Sequence, residues 1–194
     1  MSVRAVRAQR AFTLIEMLVV IVIAGVVLAL VAPSFREMIL MKRLSGINSQ
    51  LVTDLQYARS EAVTRNTNIR FRFRSDASIT CYTMFTYTSN FMCDCLLATA
   101  CGHPTLVEVR TVRVPTDSSV RVAPVVGMPD QFAFESITGA MWRSTSDAGP
   151  PTVPTYTIET SASSDLKLWT IVNLGGRPTV CAPAGSRMQV APCS

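Results

Sequence analysis

Four cysteines and the only histidine of the chain lie close together, and these residue types can bind zinc or, for the cysteines, form disulfides. Cys81, Cys93, Cys95, Cys101 and His103 fall within 23 residues, which supplies enough ligands for a tetrahedral zinc site. Their spacing, C-x-C-x5-C-x-H from Cys93 onward, matches none of the usual zinc knuckles. We therefore expect disulfides and no bound metal in this stretch, as is usual outside the cytoplasm.

The pairing of these cysteines is only partly fixed by their spacing. Cys93 and Cys95 are too close to pair with each other, so two of the three possible pairings of the four cysteines stay open. Cys181 and Cys193 enclose 11 residues that include two prolines and Gly185, and we expect them to close a C-terminal loop. Closing a loop of this size stabilises a fold by roughly 3 kcal/mol in the chain-entropy estimate.

Glu16 is the only charged residue in the 21-residue apolar run from Phe12 to Ala32. At about 1.5 Å per residue, such a run is long enough to cross a hydrocarbon core of about 30 Å. A carboxylate within such a span costs a few kcal/mol unless it is neutralised. Glu16 is therefore either a charge tolerated near the membrane interface or a group that meets a positive charge on a neighbouring molecule.

The residues around this run set its topology. Residues 1–11 contain Arg4, Arg7 and Arg10 and no acid, which places the N-terminus in the cytoplasm and the later residues, with all six cysteines, in the periplasm. An ordinary secretory signal ends in small residues, but Leu30-Val31-Ala32-Pro33 fits that pattern poorly. The small residue lies before the apolar run instead, at Ala11.

The order Ala11-Phe-Thr-Leu-Ile-Glu16 closely resembles the class III signal of type IV pilins and type II secretion pseudopilins. The resemblance implies that prepilin peptidase cuts between Ala11 and Phe12 and N-methylates Phe12. The family nearly always has glycine before the cut, and the extra methyl group of Ala11 can slow processing. Glu16 then becomes the fifth residue of the mature chain. In the family, this carboxylate meets the N-terminal ammonium of an adjacent subunit, which favours assembly because the paired charges are tolerated in lipid.

A long helix is expected to continue beyond the apolar run. Pro33 would be the 22nd mature residue, where related pilins carry a helix-kinking proline, so the resemblance implies a bend or local melting there. Further on, apolar residues recur every three or four positions and so form one face of an amphipathic helix, whereas charged residues such as Asp54 mostly lie on its other faces. Asn66 is a plausible end of this helix. The stretch Tyr57–Asn66, YARSEAVTRN, looks like the ARSEAI-x-R stretch of the GspH/FimT group of minor pilins and pseudopilins. The apolar face comprises Leu44, Ile47, Leu51, Leu55, Ala58 and Ala62.

Beyond Asn66 the apolar period changes from 3.6 to 2, which predicts strands. The first strand alternates apolar Ile69, Phe71 and Phe73 with Arg70, Arg72 and Arg74. The face that carries the arginines is either solvated or paired with acids of a neighbouring strand, although it could bind an anion. Phe132, Phe134 and Thr138-Gly139 are similar to the F-x-x-x-G stretch of the same family. Residues 144–154 are predicted to form a loop. Further strands are predicted at Ile79–Tyr87, Leu106–Val114, Val120–Ala123, Gln131–Phe134, Tyr156–Thr160 and Leu166–Val172.

The predicted fold is α+β, with one long N-terminal helix packed on antiparallel β-sheets. Residues 1–11 form a cytoplasmic leader, residues 12–33 the single transmembrane and assembly helix, and residues 34–194 a periplasmic pilin-like domain. That domain contains an amphipathic helix at 36–66 and a β region at 69–194. The predicted location is the inner membrane, followed by a pilus or pseudopilus.

The leading functional hypothesis is a minor pilin or pseudopilin whose partners are prepilin peptidase and other pilin subunits. The residues leave open a type IV pilus or a type II secretion system, and the cysteine-rich domain and looped tail favour the pilus. No nucleophile–base pair, phosphate loop or metal motif indicates an enzyme or a cofactor.

The alternative hypothesis is DNA capture by the basic C-terminal tail. The formal charge of +5 is uneven, because residues 166–194 hold Lys167, Arg177 and Arg187 with no acid. Two or three such cations give a weak, salt-sensitive grip on phosphates without base reading. The tail also contains Leu174-Gly175-Gly176-Arg177. In DNA-binding relatives more arginines follow the glycine, whereas Pro178 and Thr179 stand here.

Overall fold

Helix α1 runs from Leu14 to Thr64 in the computed structural model, which describes residues 13–86, 91–142 and 155–193, with residues 30–34 described in backbone only. The predictions made for residues 1–12, for Tyr87 and for the loop at 144–154 lie outside these ranges. The chain divides into two compact units, Met1–Ile39 and Leu40–Ser194. The backbone of residues 30–34 is helical, so the local melting allowed for near Pro33 does not occur. The bend at Pro33 stays a prediction.

Both ends of α1 have side chains and backbone bonds that satisfy the terminal groups of a helix. At the start, the Thr13 hydroxyl accepts a hydrogen bond of 3.3 Å from the Glu16 N–H, as an N-cap residue does. At the end, Asn66 has a positive φ of 48°, and the N–H groups of Asn66 and Thr67 bond the carbonyls of Val63 and Ala62. This Schellman arrangement ends the helix beside the predicted stop.

In the parts of the chain that are described, no helix combines the length and the apolar character needed to span a membrane.

Nine strands occur in the described ranges, and they form two antiparallel sheets. The first sheet has the order β3-β2-β1-β5-β6 and the second has the order β4-β7-β8-β9. All seven predicted strands are present, with ends within about two residues, whereas β6 and β9 were not predicted. The strands are β1 (Ile69–Ser75), β2 (Ile79–Thr86), β3 (Glu108–Pro115), β4 (Arg121–Pro124), β5 (Gln131–Phe134), β6 (Met141–Trp142), β7 (Thr155–Ser161), β8 (Lys167–Asn173) and β9 (Pro178–Cys181).

The turn between β1 and β2 is held by the carboxylate of Asp76. One oxygen of Asp76 accepts hydrogen bonds from the N–H of Ile79 and from the N–H and hydroxyl of Ser78, at 2.7–2.8 Å. The bond from the Ile79 N–H is the main reason why the pKa of Asp76 lies below its ordinary value, and the Ser78 bonds add to it. The hairpin then pairs Ile69 with Thr86 and Ser75 with Thr80 in register.

The core lies between the later part of α1 and the two sheets, as the sequence pattern predicted. The apolar helix positions Leu44, Leu51, Leu55, Ala58 and Ala62 are fully buried. On the sheets, aromatic rings of β1, β2, β5 and β7 pack against one another, and their contacts stabilise the core beyond the area that they bury. The α+β prediction is therefore confirmed, with the helix packed on antiparallel sheets. The rings in this cluster are Phe71, Phe73, Tyr82, Phe132, Phe134 and Tyr156.

Candidate functional site

The N-terminal unit presents an apolar helix surface with one carboxylate near its start. The side chains of residues 13–29 are all exposed, and Ile15 and Ile21 have 66% and 70% of their surface accessible. Exposed apolar area of this extent on one element marks an interaction surface. Glu16 lies in the first helical turn, where the helix dipole favours a negative charge. Ala11 and Phe12, the predicted cleavage and methylation residues, lie outside the described ranges.

Thr13 is a residue of this segment whose role the sequence reasoning missed. Its hydroxyl bonds the Glu16 N–H, which starts the helix at the residue after Thr13. The sequence signal was present, because Thr-x-x-Glu before an apolar run is the capping-box pattern. Thr13 thus fixes the helical turn from which Glu16 projects.

In the larger unit, three stretches that were singled out in the sequence meet around the side chain of Arg59. The Arg59 Nε–H donates a hydrogen bond of 3.1 Å to the carbonyl of Gly139, and Arg59 also packs against Gly176. Both glycines have a positive φ, 67° and 71°, a backbone region that glycine adopts at little cost. The ARSEA stretch, the glycine after the Phe-rich strand and the Gly-Gly turn therefore form one cluster, which joins the helix to both sheets.

Two buried polar side chains of α1 form further links to the sheets. The amide oxygen of Asn48 accepts hydrogen bonds from the hydroxyls of Thr160 and Thr170, at 3.0 and 2.9 Å. The carboxylate of Asp54 accepts a bond of 2.7 Å from the Tyr82 hydroxyl and pairs with Arg110 at 2.8 Å. Asn48 thus links α1 to the second sheet, and Asp54 links it to the first.

Asp54 corrects the prediction that the charged residues of this helix mostly fall away from its apolar face. It is fully buried among the apolar positions, and the two polar partners from β2 and β3 make that burial possible. Burial raises the pKa of Tyr82, and the hydrogen bond to Asp54 raises it further. The phenol therefore stays protonated and donates to the carboxylate.

The six cysteines form three disulfides, Cys81–Cys95, Cys93–Cys101 and Cys181–Cys193. The first two realise one of the two pairings that the sequence left open. Because their sulfur atoms are bonded in pairs, these cysteines cannot bind a metal ion as free thiolates. The described residues hold no group of three or more candidate metal ligands. His103 stacks on Phe91 with ring centroids 3.6 Å apart.

The loop tied down by two of these disulfides covers the arginine face of β1, which was predicted to be solvated or paired across strands. Arg72 donates a hydrogen bond of 2.9 Å to the Cys93 carbonyl, and Arg74 pairs with Asp94 at 3.3 Å. Arg113 of β3 donates to the carbonyls of Cys95 and Leu97 at 2.8 and 2.6 Å. The arginines therefore hold the loop in place. The acid that Arg74 meets belongs to this loop, whereas Arg72 also pairs at 3.4 Å with Asp130, which directly precedes the neighbouring strand β5, so the predicted pairing across strands holds for Arg72.

The basic tail does not form a cluster of cations free of acids. Arg187 pairs with Asp165 at 2.5 Å and Lys167 with Glu159 at 3.6 Å, so two of the three cations of the tail meet acids that precede residue 166. The pKa of Asp165 is lowered, chiefly by the bond from Ser163 and further by Arg187. The side chain of Arg177 makes no ion pair with a described residue. No specific observation thus favours the DNA hypothesis.

Comparison with known proteins gives two family matches. Residues 6–32 match the prokaryotic N-terminal methylation motif, and residues 48–176, more than half of the chain, match the type II transport protein GspH. The chain belongs to the GspH family. It is a minor pilin or pseudopilin of the GspH/FimT type, and this family consists of structural subunits that are processed by prepilin peptidase and assemble with other pilins.

Two solved structures resemble this GspH-family chain, both crystal forms of the type IV minor pilin FimU from Pseudomonas aeruginosa PAO1. The first has a TM-score of 0.50 at 14% identity and covers 73% of this chain and 90% of FimU. The second has a TM-score of 0.45 at 15% identity and covers 69% and 89%. No curated protein sequence matches the chain. The first match shows that the GspH-family chain shares the type IV pilin fold.

Proposed function

We propose that this GspH-family chain is made as a precursor and enters a type IV pilus or a type II secretion pseudopilus as a minor subunit. Prepilin peptidase cuts between Ala11 and Phe12 and methylates the amino group of Phe12. The observation that carries this proposal is the order of a small residue and Phe-Thr-Leu-Ile-Glu directly before an apolar run, within the matched methylation motif at 6–32.

Before assembly, the subunit is held in the inner membrane by residues 12–33. The three arginines of residues 1–11 keep the N-terminus in the cytoplasm, and the domain that follows folds in the periplasm, where its three disulfides form. The domain has no catalytic role and contributes structure to the fibre.

The Glu16 carboxylate favours the assembled fibre over the lone subunit in the membrane. In the lipid it has no positive partner in its own described segment, and a neighbouring subunit's N-terminal ammonium supplies one. Each charge is costly in lipid when alone, so pairing favours extraction of the subunit into the fibre. Thr13 assists by fixing the first helical turn through its bond to the Glu16 N–H.

The test replaces Glu16 by Ala. The Glu16→Ala protein should insert in the membrane at the normal level, because the change makes the segment more apolar. Its amount in sheared fibres should fall about tenfold or more. A tenfold fall corresponds to a loss of about 1.4 kcal/mol in the free energy that favours assembly. Immunoblots of the membrane and the fibre fractions measure both quantities.

Met17→Ala is the matched control, because Met17 is the exposed next residue of the same helix and carries no charge. It should enter fibres within about twofold of the unchanged protein. Normal incorporation of Glu16→Ala would contradict the proposed pairing.

A further inference from the structure

A cleft of about 650 Å³ lies between the last turns of α1 and the turn from β8 to β9. Its helical wall carries Gln56, Arg59, Ser60 and Val63, and its opposite wall is formed by residues 176–179 with Thr138 at the side. All of these residues belong to the larger unit. The cleft is therefore a concave site built entirely from residues of the larger unit.

The charge of this cleft is positive. Arg59 and Arg177 line it, and no acidic residue of the described ranges does, although the carboxylate of Glu135 lies behind Thr138 and accepts its hydroxyl. Among the described residues, Arg59 uses only its Nε–H, on the Gly139 carbonyl, which leaves its terminal amino groups for a ligand. Arg177 is exposed and unpaired there, unlike Lys167 and Arg187. Two guanidinium groups in one concavity suit a carboxylate, which accepts paired hydrogen bonds from an arginine fork.

The rest of the lining suits a peptide in an extended conformation. Ser60, Thr138 and Thr179 line the cleft. Their hydroxyls donate to the Tyr57 carbonyl, the Glu135 carboxylate and the Ile171 carbonyl, so their oxygens are left to accept hydrogen bonds from the N–H groups of a peptide. One wall includes Pro178 and Thr179 of β9. Among the described strands β9 pairs only with β8, so it forms the edge of its sheet up to Ala182, where residues 191–193 pair with the chain. An edge strand offers unpaired backbone groups to an added strand, which is a common way to bind extended peptides.

We propose that this cleft binds an extended acidic segment of a neighbouring protein, with an aspartate or glutamate side chain between Arg59 and Arg177 and its main chain along β9. The proposal rests on the proposed function, because a pilus or pseudopilus places other subunits against this domain. Duplex DNA fits the cleft less well, because the two other cations of the tail are paired with acids and two arginines neutralise few phosphates.

The test uses the full-length protein in detergent micelles and two short probes that differ in one charge. They are N-trifluoroacetyl-Val-Asp-Val-Thr-amide and the same peptide with Asn in place of Asp, both followed by fluorine NMR. We expect the Asp probe to bind saturably, with a Kd on the order of 1 mM, as for a short fragment, and the Asn probe to bind about tenfold more weakly.

Arg177→Gln should reduce binding of the Asp probe to the level of the Asn probe. Arg121→Gln is the matched control, because Arg121 is exposed on β4 and does not line the cleft, and it should change the Kd less than about twofold.

Equal binding of the two probes, no saturable binding, or an unchanged Kd in Arg177→Gln would overturn the proposal. So would displacement of the Asp probe by random duplex DNA at lower concentration, which would make the cleft a phosphate site. The measurement needs no fibre, so its failure leaves the assembly result for Glu16 intact.

Discussion

Arg110→Gln is expected to lower the free energy of unfolding of the folded domain by about 3 kcal/mol, the lower end of the range for breaking a buried ion pair. The carboxylate of Asp54 has only 1% of its side chain exposed, whereas Arg110 has 47% exposed. Without the guanidinium, the buried carboxylate keeps the Tyr82 hydroxyl as its remaining side-chain donor. Water can reach the position vacated by Arg110, which is why the lower end of the range applies.

The measurement is urea unfolding of the full-length protein in detergent, followed by tryptophan fluorescence, since both tryptophans lie in strands β6 and β8. Arg121→Gln removes an exposed arginine from β4 and should change the free energy of unfolding by less than about 0.5 kcal/mol. The double variant Asp54→Leu with Tyr82→Phe removes both buried polar groups and should be more stable than Arg110→Gln, because no unpaired charge is left in the core. A loss below about 1 kcal/mol in Arg110→Gln would show that the pair is not a main link between helix and sheet.

Gly176→Ala is expected to destabilise the domain by about 2–4 kcal/mol through two separate effects. Gly176 has a φ of 71°, where a residue with a Cβ is strained by about 1–2 kcal/mol. The added Cβ would also collide with the backbone carbonyl of Gly139. That carbonyl accepts the Arg59 bond, so the collision would disturb the cluster that joins the helix to both sheets.

Two other glycines separate these effects. Gly185 has a φ of 81° with open space around its Cβ position, so Gly185→Ala should show the backbone strain alone, about 1–2 kcal/mol. Gly175 has no positive φ, and its Cβ would lie 3.4 Å from the Asn173 side chain, so Gly175→Ala should be nearly neutral. Equal losses in Gly176→Ala and Gly185→Ala would show that the contact with Gly139 is unimportant.

The apolar periods were enough to predict the helix face and most strands, because those patterns depend on local spacing. Leu51 and Leu55 are buried where the helical period places them, and β5 has the predicted ends. The class III signal was also readable, since residue types, order and charge all lie within the first 32 residues.

The polar links could not be predicted, because their partners are far apart in the chain. Asp54 meets Tyr82 and Arg110, 28 and 56 positions away, and no local pattern shows that a helical aspartate has such partners. Strand β9 was missed because it has only four residues and begins with a proline, which is unusual within a strand. The pairing of Arg187 with Asp165 was missed because a net charge counted from residue 166 excludes the acid just before it.

The most direct test of the proposed processing is the mass of the N-terminal peptide of the protein extracted from membranes and sheared fibres. We expect the mature chain to begin at Phe12 and to carry one methyl group on its amino nitrogen, because the small residue at Ala11 precedes Phe-Thr-Leu-Ile-Glu. We also expect a larger fraction of uncut precursor in the unchanged protein than in Ala11→Gly, because glycine lacks the side-chain methyl group that alanine places before the cut. An N-terminus at Met1, Ser2 or Pro33 in the fibre fraction would contradict the assignment of this chain as a processed pilin-like subunit.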